Sequence, residues 1–391
     1  HETRFEEHEQ PTKAINFLET SLRAASPVQE AYYEEAIVDH NAPAAQQKFW
    51  KQRYLINQQY WGGKGYPSVP TADLSLENLK YLTSEQQLAD VARFHGFLTK
   101  KMGLETSKWI AFGGSYAGTL AVWEKLKYPT LFAGAVASSA PIEAKSNFFE
   151  YNEVVGRSLR YFGGDACYNR IQEGVVEFRK LVDGGSATQS QLQKMFPMCD
   201  PIENDLDMSV YEAEISGPIQ NVVQYNDVSS FQITDLCTYF ANKTQTPLEL
   251  LSAFVVGNLD GPCIDSTFEG NADGQIEFLK NTTLAGRSMG LEVCKRVFNI
   301  DVAPGAKTNA AYGGFGLKVE DVTFVTGSID PWSALAVTNA THLSGTSDSA
   351  VYIVGTSHTA DIYAPRESNI PALTAAYAKI AANVAKYLGA K

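Results

Sequence analysis

The sequence has no long apolar run and little positive charge. No stretch of its 391 residues approaches the roughly 20 apolar residues that a helix needs to span a bilayer. Its 32 Lys and Arg are outnumbered by 44 Asp and Glu, which leaves a net charge of -12. Because such a charge repels phosphate groups and anionic lipid headgroups, we expect no membrane span and no general binding to nucleic acid or membrane surfaces.

Cysteine is also scarce, and none of the five has the close pairing of a zinc ribbon or a C-x-x-C redox motif. We expect disulfides among them, although the odd number leaves one thiol over. Three N-x-[ST] sequons agree with a secretory route, so we predict a secreted or lysosomal glycoprotein. The sequence starts at His1 without signal-peptide features, and we expect any such peptide to have been removed. The cysteines are Cys167, Cys199, Cys237, Cys263 and Cys294, and the sequon asparagines are Asn242, Asn281 and Asn339.

The amino-acid composition is sufficient to form sizeable hydrophobic cores, because 44% of residues are hydrophobic and only 19% are charged. The length suggests two domains, or one large domain with an insertion. A helical pattern over 84–102 begins with the capping-box pair Ser84 and Gln87 and ends before Gly103. Residues 14–24 form another amphipathic pattern.

The clearest local pattern is a strand, a tight turn and a helix. A short apolar run at 108–112 enters the turn Gly113-Gly-Ser-Tyr-Ala-Gly118, after which 119–127 resume a helical pattern. A small-residue run at 133–137 follows. This order is typical of a β-α-β unit and implies parallel strands in a covered sheet.

A different pattern covers about 150–305, where helical stretches contain all five cysteines. Buried-strand runs return at 322–326 and 350–354, and 371–388 is a long Ala-rich helix. We therefore predict an α/β domain interrupted by a helical insertion. The predicted parts are 1–150 for the start of the α/β domain, 151–305 for the insertion, and 306–391 for the last strands and the C-terminal helix.

Ser115 is the predicted nucleophile. A serine hydroxyl reacts readily only where a neighbouring base removes its proton. Small residues around Ser115 allow the strained turn of a nucleophile elbow, which exposes the hydroxyl at the start of the next helix, and the N–H of Tyr116 would supply one oxyanion donor. Ala117 replaces the last Gly of the G-x-S-x-G pattern. The alternative is a glycine-rich turn with an ordinary surface serine.

The strict G-x-S-x-G pattern occurs elsewhere, at Gly286-Arg-Ser-Met-Gly290. No strand precedes Ser288, and it lies inside the cysteine-bearing insertion. We therefore expect Ser288 not to be catalytic.

The acid and the base are expected after later strands, in that order. Asp330 follows the 322–326 strand, and His358 follows the 350–354 strand. The remaining carboxylates near these strands are Asp361 and Asp321, which we interpret as a loop cap and a strand-start residue.

A series of short motifs occurs in one order over most of the chain. They are Gln52-Arg-Tyr54, Tyr60-Trp-Gly-Gly63, Pro70-Thr-Ala-Asp-Leu-Ser75, Asn78-Leu-Lys-Tyr-Leu82, Ser84-Glu-Gln-Gln-Leu-Ala-Asp90, Gly113-Gly-Ser-Tyr-Ala-Gly118, Ala135-Val-Ala-Ser-Ser-Ala-Pro141, Asp330-Pro-Trp-Ser333 and Ser357-His358. Together they resemble the serine peptidase family that includes lysosomal Pro-X carboxypeptidase, dipeptidyl peptidase II and thymus-specific serine protease.

The resemblance implies an α/β-hydrolase fold with a mostly helical, disulfide-bearing cap inserted before the acid and the histidine. It implies cleavage of peptides after proline, without metal or organic cofactor. Residue by residue, it assigns Ser115 as nucleophile, Asp330 as orienting acid and His358 as base. It suggests that Trp332 helps to form the proline pocket, the alternative being a core tryptophan beside the acid turn.

The sequence departs from this family in two places. Tyr66-Pro-Ser-Val-Pro70 follows directly on Gly65, where the resemblance implies several dozen further residues and the second oxyanion N–H. A tryptophan-containing Q-T-C segment is missing between Thr283 and Gly286. Because loss of central strands would expose sheet edges, we expect the intact protein to contain these segments. The alternative is a shortened relative.

We therefore predict an exopeptidase that acts after proline on a peptide substrate. The alternatives among enzymes are a dipeptidyl aminopeptidase, a prolyl endopeptidase and an esterase. An alternative from a different functional class is a non-catalytic protein with the hydrolase fold that serves as a binding or structural protein. The sequence leaves a homodimer open.

Overall fold

A computed structural model describes residues 28–57, 62–65, 76–199, 205–259, 261–264, 304–339, 341 and 349–389. The chain divides into two compact units, His1–Glu105 and Thr106–Lys391. The predicted helix at 14–24, Asn281, Ser288 and Cys294 lie outside the described residues.

The first unit contains an antiparallel sheet that sequence patterns did not predict. Its strands pair in the order β1, β2, β3. Two helices follow. The elements are β1 (Val28–Ile37), β2 (Phe49–Asn57), β3 (Gly62–Gly65), α1 (Leu76–Leu79) and α2 (Ser84–Met102).

Helix α2 has the predicted bounds but a different cap. Thr83, and not Ser84, is the N-cap, and its side-chain oxygen accepts from the Gln86 N–H at 3.2 Å. Gly103 ends the helix at φ 65°, a left-handed conformation that glycine adopts without steric cost. Aromatic side chains pack α2 against the sheet, since the Tyr33 ring of β1 stacks on the Phe97 ring of α2 with 4.5 Å between centroids.

The second unit contains a parallel sheet with the order β4-β5-β6-β7. Its elements are β4 (Ile110–Gly114), α3 (Tyr116–Lys127), β5 (Gly134–Ser138), β6 (Val322–Gly327), β7 (Ser349–Ile353) and α10 (Pro371–Leu388). The β-α-β unit, the two later strands and the closing helix are thus confirmed. Because the strands are parallel, their carboxyl ends meet at one edge of the sheet, and buried valines such as Val325 pack beneath Leu373 of α10.

The described chain between β5 and β6 is helical. Its helices are α4 (Glu150–Asp183), α5 (Gln189–Met195), α6 (Asp205–Gln224), α7 (Ile233–Phe240), α8 (Pro247–Gly257) and α9 (Pro304–Tyr312). Buried Phe196, Phe240 and Leu251 belong to one core that also takes in Ile329 and Leu335, which follow β6. This core therefore reaches the loop that follows β6 in the parallel sheet.

Two disulfides cross-link the helical region, as the sequence predicted. Cys167 of α4 pairs with Cys237 of α7, and Cys199 pairs with Cys263. No helix in the described ranges is both long enough and apolar enough to cross a membrane.

Candidate active site

Ser115 lies in the tight turn between β4 and α3. Its backbone has φ 57° and ψ -131°, a conformation that costs a non-glycine residue roughly 1–3 kcal/mol and is characteristic of functional sites. The turn requires Gly113, because a Cβ there would lie 2.1 Å from the carbonyl oxygen of Ala117. The Ser115 N–H donates to the carbonyl of Ser138 at 2.8 Å, which fixes the turn to the end of β5.

Tyr116 is the first residue of α3. The amide groups of the first helical turn lack intrahelical partners, and the helix dipole makes this end partly positive. The start of α3 is therefore a suitable place for negative charge that develops beside Ser115.

Asp330 and His358 form a buried pair. Asp330 lies three residues after β6 with 0% exposure, and His358 lies five residues after β7 with 3% exposure. His358 Nδ1 is 2.9 Å from Asp330 Oδ1. Because an ionised carboxylate can only accept, the proton of this hydrogen bond lies on Nδ1, and Nε2 is left as the basic nitrogen. Asp330 Oδ1 also accepts from the Trp332 N–H at 3.0 Å, which holds the carboxylate in place.

Gln224 is a site residue that sequence reasoning missed. It lies at the end of α6, and its carbonyl accepts from the His358 N–H at 3.1 Å. Its side-chain oxygen accepts from Trp332 Nε1 at 3.0 Å and from the Tyr151 hydroxyl at 2.7 Å. No local pattern marks Gln224, because its role depends on residues more than 70 positions away in the sequence.

Two aromatic rings, those of Trp332 and Tyr225, lie near the histidine ring. The Trp332 ring lies 6.3 Å from the His358 ring and 5.4 Å from Phe148, measured between centroids. Tyr225 presents an edge to His358 at 6.4 Å. Burial raises the pKa of Tyr151, so its hydroxyl stays protonated and donates to Gln224. The site thus has apolar walls beside its base.

Asp361 and Asp321 occupy different places from Asp330. Asp361 Oδ1 accepts from Ser138 Oγ at 2.5 Å, and burial raises the pKa of the Asp361 carboxyl to about 6. Asp321 precedes β6 at the opposite end of the sheet, where its carbonyl accepts from Ala135 N at 3.0 Å. Neither carboxylate is the partner of His358 Nδ1.

The three predicted residues each follow a strand of the parallel sheet, so they lie at the end where the carboxyl ends of the strands meet. Hydrogen bonds join His358 to Asp330 directly, and Ser139 Oγ accepts from the Thr359 N–H at 2.8 Å beside the Ser115 turn. Within the described chain, no group of three or more His, Cys, Asp or Glu side chains is arranged to hold a metal ion. The arrangement suits a nucleophile, a base and an orienting acid.

Comparisons with known proteins agree with this chemistry. The model of the serine carboxypeptidase S28 family matches residues 63–264 and 263–380. Thymus-specific serine protease of Mus musculus is 31% identical over 373 residues, covering 82% of this chain and 72% of the relative. The same protein of Homo sapiens is 32% identical over 358 residues, covering 78% and 68%. Lysosomal Pro-X carboxypeptidase of Mus musculus is 30% identical over 214 residues, covering 51% and 43%.

Proposed function

This chain belongs to the serine carboxypeptidase S28 family and is a serine-type peptidase, and from that premise we propose that it is an exopeptidase that cleaves peptides after proline. One observation carries the catalytic part of the proposal, whereas the exopeptidase activity and the cleavage after proline rest on the similarity to lysosomal Pro-X carboxypeptidase. The buried His358–Asp330 pair, joined at 2.9 Å, lies at the same sheet edge as the strained Ser115 turn. Along the chain, the nucleophile, the acid and the base also follow the order that is typical of α/β-hydrolases, the fold that we propose for the parallel sheet.

We propose the following reaction. Ser115 Oγ attacks the carbonyl carbon of the scissile bond while His358 Nε2 takes its proton. Asp330 accepts from His358 Nδ1–H, which keeps the ring in the correct tautomer. The Tyr116 N–H at the start of α3 donates to the oxyanion. His358 then gives the proton to the leaving amine, and water hydrolyses the acyl-enzyme by the same steps in reverse.

Trp332 is the proposed wall of the proline pocket. It is only partly buried, lies 6.3 Å from the His358 ring, and is oriented by its Nε1 hydrogen bond to Gln224. A flat aromatic face packs well against a rigid apolar ring such as proline. The rings of Phe148 and Tyr151 pack against the indole.

We propose that the helical insertion at 151–305 forms a cap over the site, and that 1–150 and 306–391 form the α/β-hydrolase domain. Two contacts support the cap: the Gln224 carbonyl accepts from the His358 N–H, and the Tyr225 ring packs against the His358 ring. The two disulfides, together with exposed Asn242 and Asn339 in their sequons, support a secreted or lysosomal glycoprotein. A homodimer stays a prediction, for which light scattering at several protein concentrations is the test.

The nucleophile is tested with a fluorophosphonate probe that labels activated serines. We expect the wild-type protein to be labelled, and Ser115→Ala to lose both labelling and turnover. Ser288→Ala is the matched control, because it removes a serine in the strict motif, and it should retain both. Equal loss in the two variants, or loss only in Ser288→Ala, would contradict the assignment.

Specificity is tested with paired substrates. An N-blocked peptide ending in Pro-Phe and an unblocked X-Pro amide, each with its Ala analogue, show which residue and which terminus the enzyme reads. We expect the Pro substrate to exceed its Ala analogue in kcat/KM by about tenfold or more. Trp332→Leu should shrink this ratio, whereas Trp332→Phe should keep most of it. Equal rates for Pro and Ala, or preference for simple esters, would favour a broad peptidase or an esterase.

A further inference from the structure

Strand β5 supplies no member of the proposed triad, yet it lies between the strands that do. The Ser115 turn follows β4 and the His358 loop follows β7, so β5 and β6 separate them in the sheet. Hydrogen bonds at the end of β5 reach both the serine turn and the histidine loop. Two serines occupy that end, Ser138 and Ser139, with 0% and 1% exposure.

Ser138 forms hydrogen bonds both to the serine turn and to the histidine loop. Its carbonyl oxygen accepts from the Ser115 N–H at 2.8 Å. Its side-chain hydroxyl donates to Asp361 Oδ1 at 2.5 Å, and Asp361 lies three residues after His358. One residue thus connects the backbone of the nucleophile to the loop that contains the base.

Ser139 adds a second connection. Its Oγ accepts from the Thr359 N–H at 2.8 Å, and its own N–H donates to Val325 of β6 at 2.7 Å. Ser115, Ser139 and Thr359 all have positive φ, and they are three of the four non-glycine residues with that conformation in the described chain. Such conformations are unfavourable and persist only where surrounding contacts hold them.

The surroundings of Asp361 suit an acceptor role. The carboxyl interacts electrostatically with Asp330, His358 and Tyr377, and it accepts a hydrogen bond from the Ser138 hydroxyl. Because burial raises its pKa only to about 6, Asp361 is ionised at neutral pH and accepts strongly from a hydroxyl. Asp361 does not reach His358 Nδ1, which Asp330 occupies.

We propose that Asp361 and Ser138 are positioning residues of this peptidase, whose hydrogen bond holds the Ser115 turn and the His358 loop in register. The inference rests on the function proposed above, because it assumes that Ser115 and His358 react together. Asp361 would act only through Ser138, and neither residue would touch the substrate.

The test is a double-mutant cycle of Asp361→Ala, Ser138→Ala and the double variant. Each protein is first titrated with a fluorophosphonate probe, and kcat and KM for a Pro substrate are expressed per labelled site. Because a displacement of about 1 Å can cost up to about a hundredfold in rate, we expect each single variant to lose about tenfold to a hundredfold in kcat with little change in KM. The double variant should be no slower than the slower single variant, because both remove one link.

Two further variants separate positioning from a structural role. Asp361→Asn keeps an acceptor for Ser138 and should restore kcat to within about threefold of wild type, since neutral acceptors retain roughly half the strength. Tyr387→Phe removes a comparable buried hydrogen bond, 2.8 Å long, to Thr323 near the opposite end of β6, and should leave kcat per site unchanged.

The outcomes are distinguishable. Wild-type kcat per site in Asp361→Ala and Ser138→Ala, additive losses in the double variant, or an Asp361→Asn variant as slow as Asp361→Ala would each overturn the positioning role while leaving the peptidase intact. A wild-type protein that the probe does not label would overturn the proposed function, and the positioning role with it.

Discussion

Two carboxylates lie near His358, and their hydrogen bonds distinguish them. Asp330 Oδ1 is 2.9 Å from His358 Nδ1, whereas Asp361 Oδ1 accepts from Ser138 Oγ. An acid that orients a catalytic histidine must bind the ring nitrogen that does not act on the nucleophile. Asp330 meets that requirement, so it is the residue whose charge the reaction should need.

Asp330→Asn should therefore lower kcat by several orders of magnitude, about 10⁴-fold, with little loss of fold. The amide can donate to Nδ1 and so select the wrong histidine tautomer. Steady-state kinetics and a thermal melt measure the two effects. Asp321→Asn is the control, because it neutralises a carboxyl at the opposite end of β6, and it should remain active. Full activity of Asp330→Asn would shift the orienting role away from this residue.

At the scale of single elements, the serine turn depends on glycine more than on the serine itself. A Cβ on Gly113 would lie 2.1 Å from the Ala117 carbonyl oxygen, and one on Gly118 would lie 3.0 Å from the Gly113 carbonyl oxygen. The two backbone segments can approach this closely only without side chains. Ala117, which replaces the last Gly of the G-x-S-x-G pattern, is tolerated because the positions that require glycine are Gly113 and Gly118.

Gly113→Ala should destabilise the protein by about 1–3 kcal/mol and abolish fluorophosphonate labelling, because the added methyl group forces the turn open. Gly96→Ala is the matched control. Gly96 lies within α2, and a Cβ there meets nothing within 4 Å in the described chain. That variant should gain about 0.5–1 kcal/mol and keep its labelling. Normal labelling of Gly113→Ala would show that the turn has more room than the backbone contacts indicate.

Helix α3 contains a buried carboxyl whose ionisation should destabilise the fold. Burial raises the pKa of Glu124 from 4.5 to about 8. Between these values the folded state keeps a proton that the unfolded state has released, so stability falls as pH rises through this window. Below pH 4.5 both states are protonated, and the cost disappears.

Glu124→Gln removes this titration and should be more stable than wild type at about pH 8, with the advantage shrinking by roughly 2–4 kcal/mol toward about pH 5. Urea denaturation of both proteins at the two pH values measures the difference. A constant difference across the range would show that Glu124 is ionised in the folded protein.

At the scale of the whole molecule, the parallel sheet and the length of the relatives both bear on whether this sequence contains the whole protein. Within the described chain β4 is an edge strand, and Phe112 on it is 65% exposed. The alignment with the murine thymus-specific serine protease has 373 positions. It includes only 82% of the 391 residues of this chain, which is about 320 residues, so the remaining positions are gaps in this chain. Several dozen residues of that relative therefore have no counterpart here.

We predict that the protein from its natural source is heavier after deglycosylation than the 42.8 kDa of this sequence, with extra peptides after Gly65 and between Thr283 and Gly286. A Q-T-C segment would also provide a sixth cysteine as a partner for Cys294, so denatured protein should contain no free thiol. Intact mass, peptide mapping and thiol titration test these points. A mass equal to that of the sequence, with one thiol, would favour a shortened relative and the non-catalytic alternative.

The sequence by itself determined the elements that depend on local chemistry. Short runs of apolar or small residues predicted β4 to β7, small residues predicted the serine turn, and the positions of Asp330 and His358 after strands predicted the acid and base. The pairing of His358 with Asp330 agrees with those assignments. These features were predictable because neighbours in the chain create them, through continuous apolar runs and the sterics of the turn.

Tertiary structure alone decided the features that join distant residues. Gln224 contacts the histidine loop 134 positions later only because α6 packs against that loop, and Ser138 meets Asp361 across 223 positions. The antiparallel sheet of the first unit was missed because its strands are stabilised by pairing with each other and by rings on α2. Neither kind of contact leaves a local pattern, since hydrogen-bond partners and packing surfaces are defined only once the chain has folded.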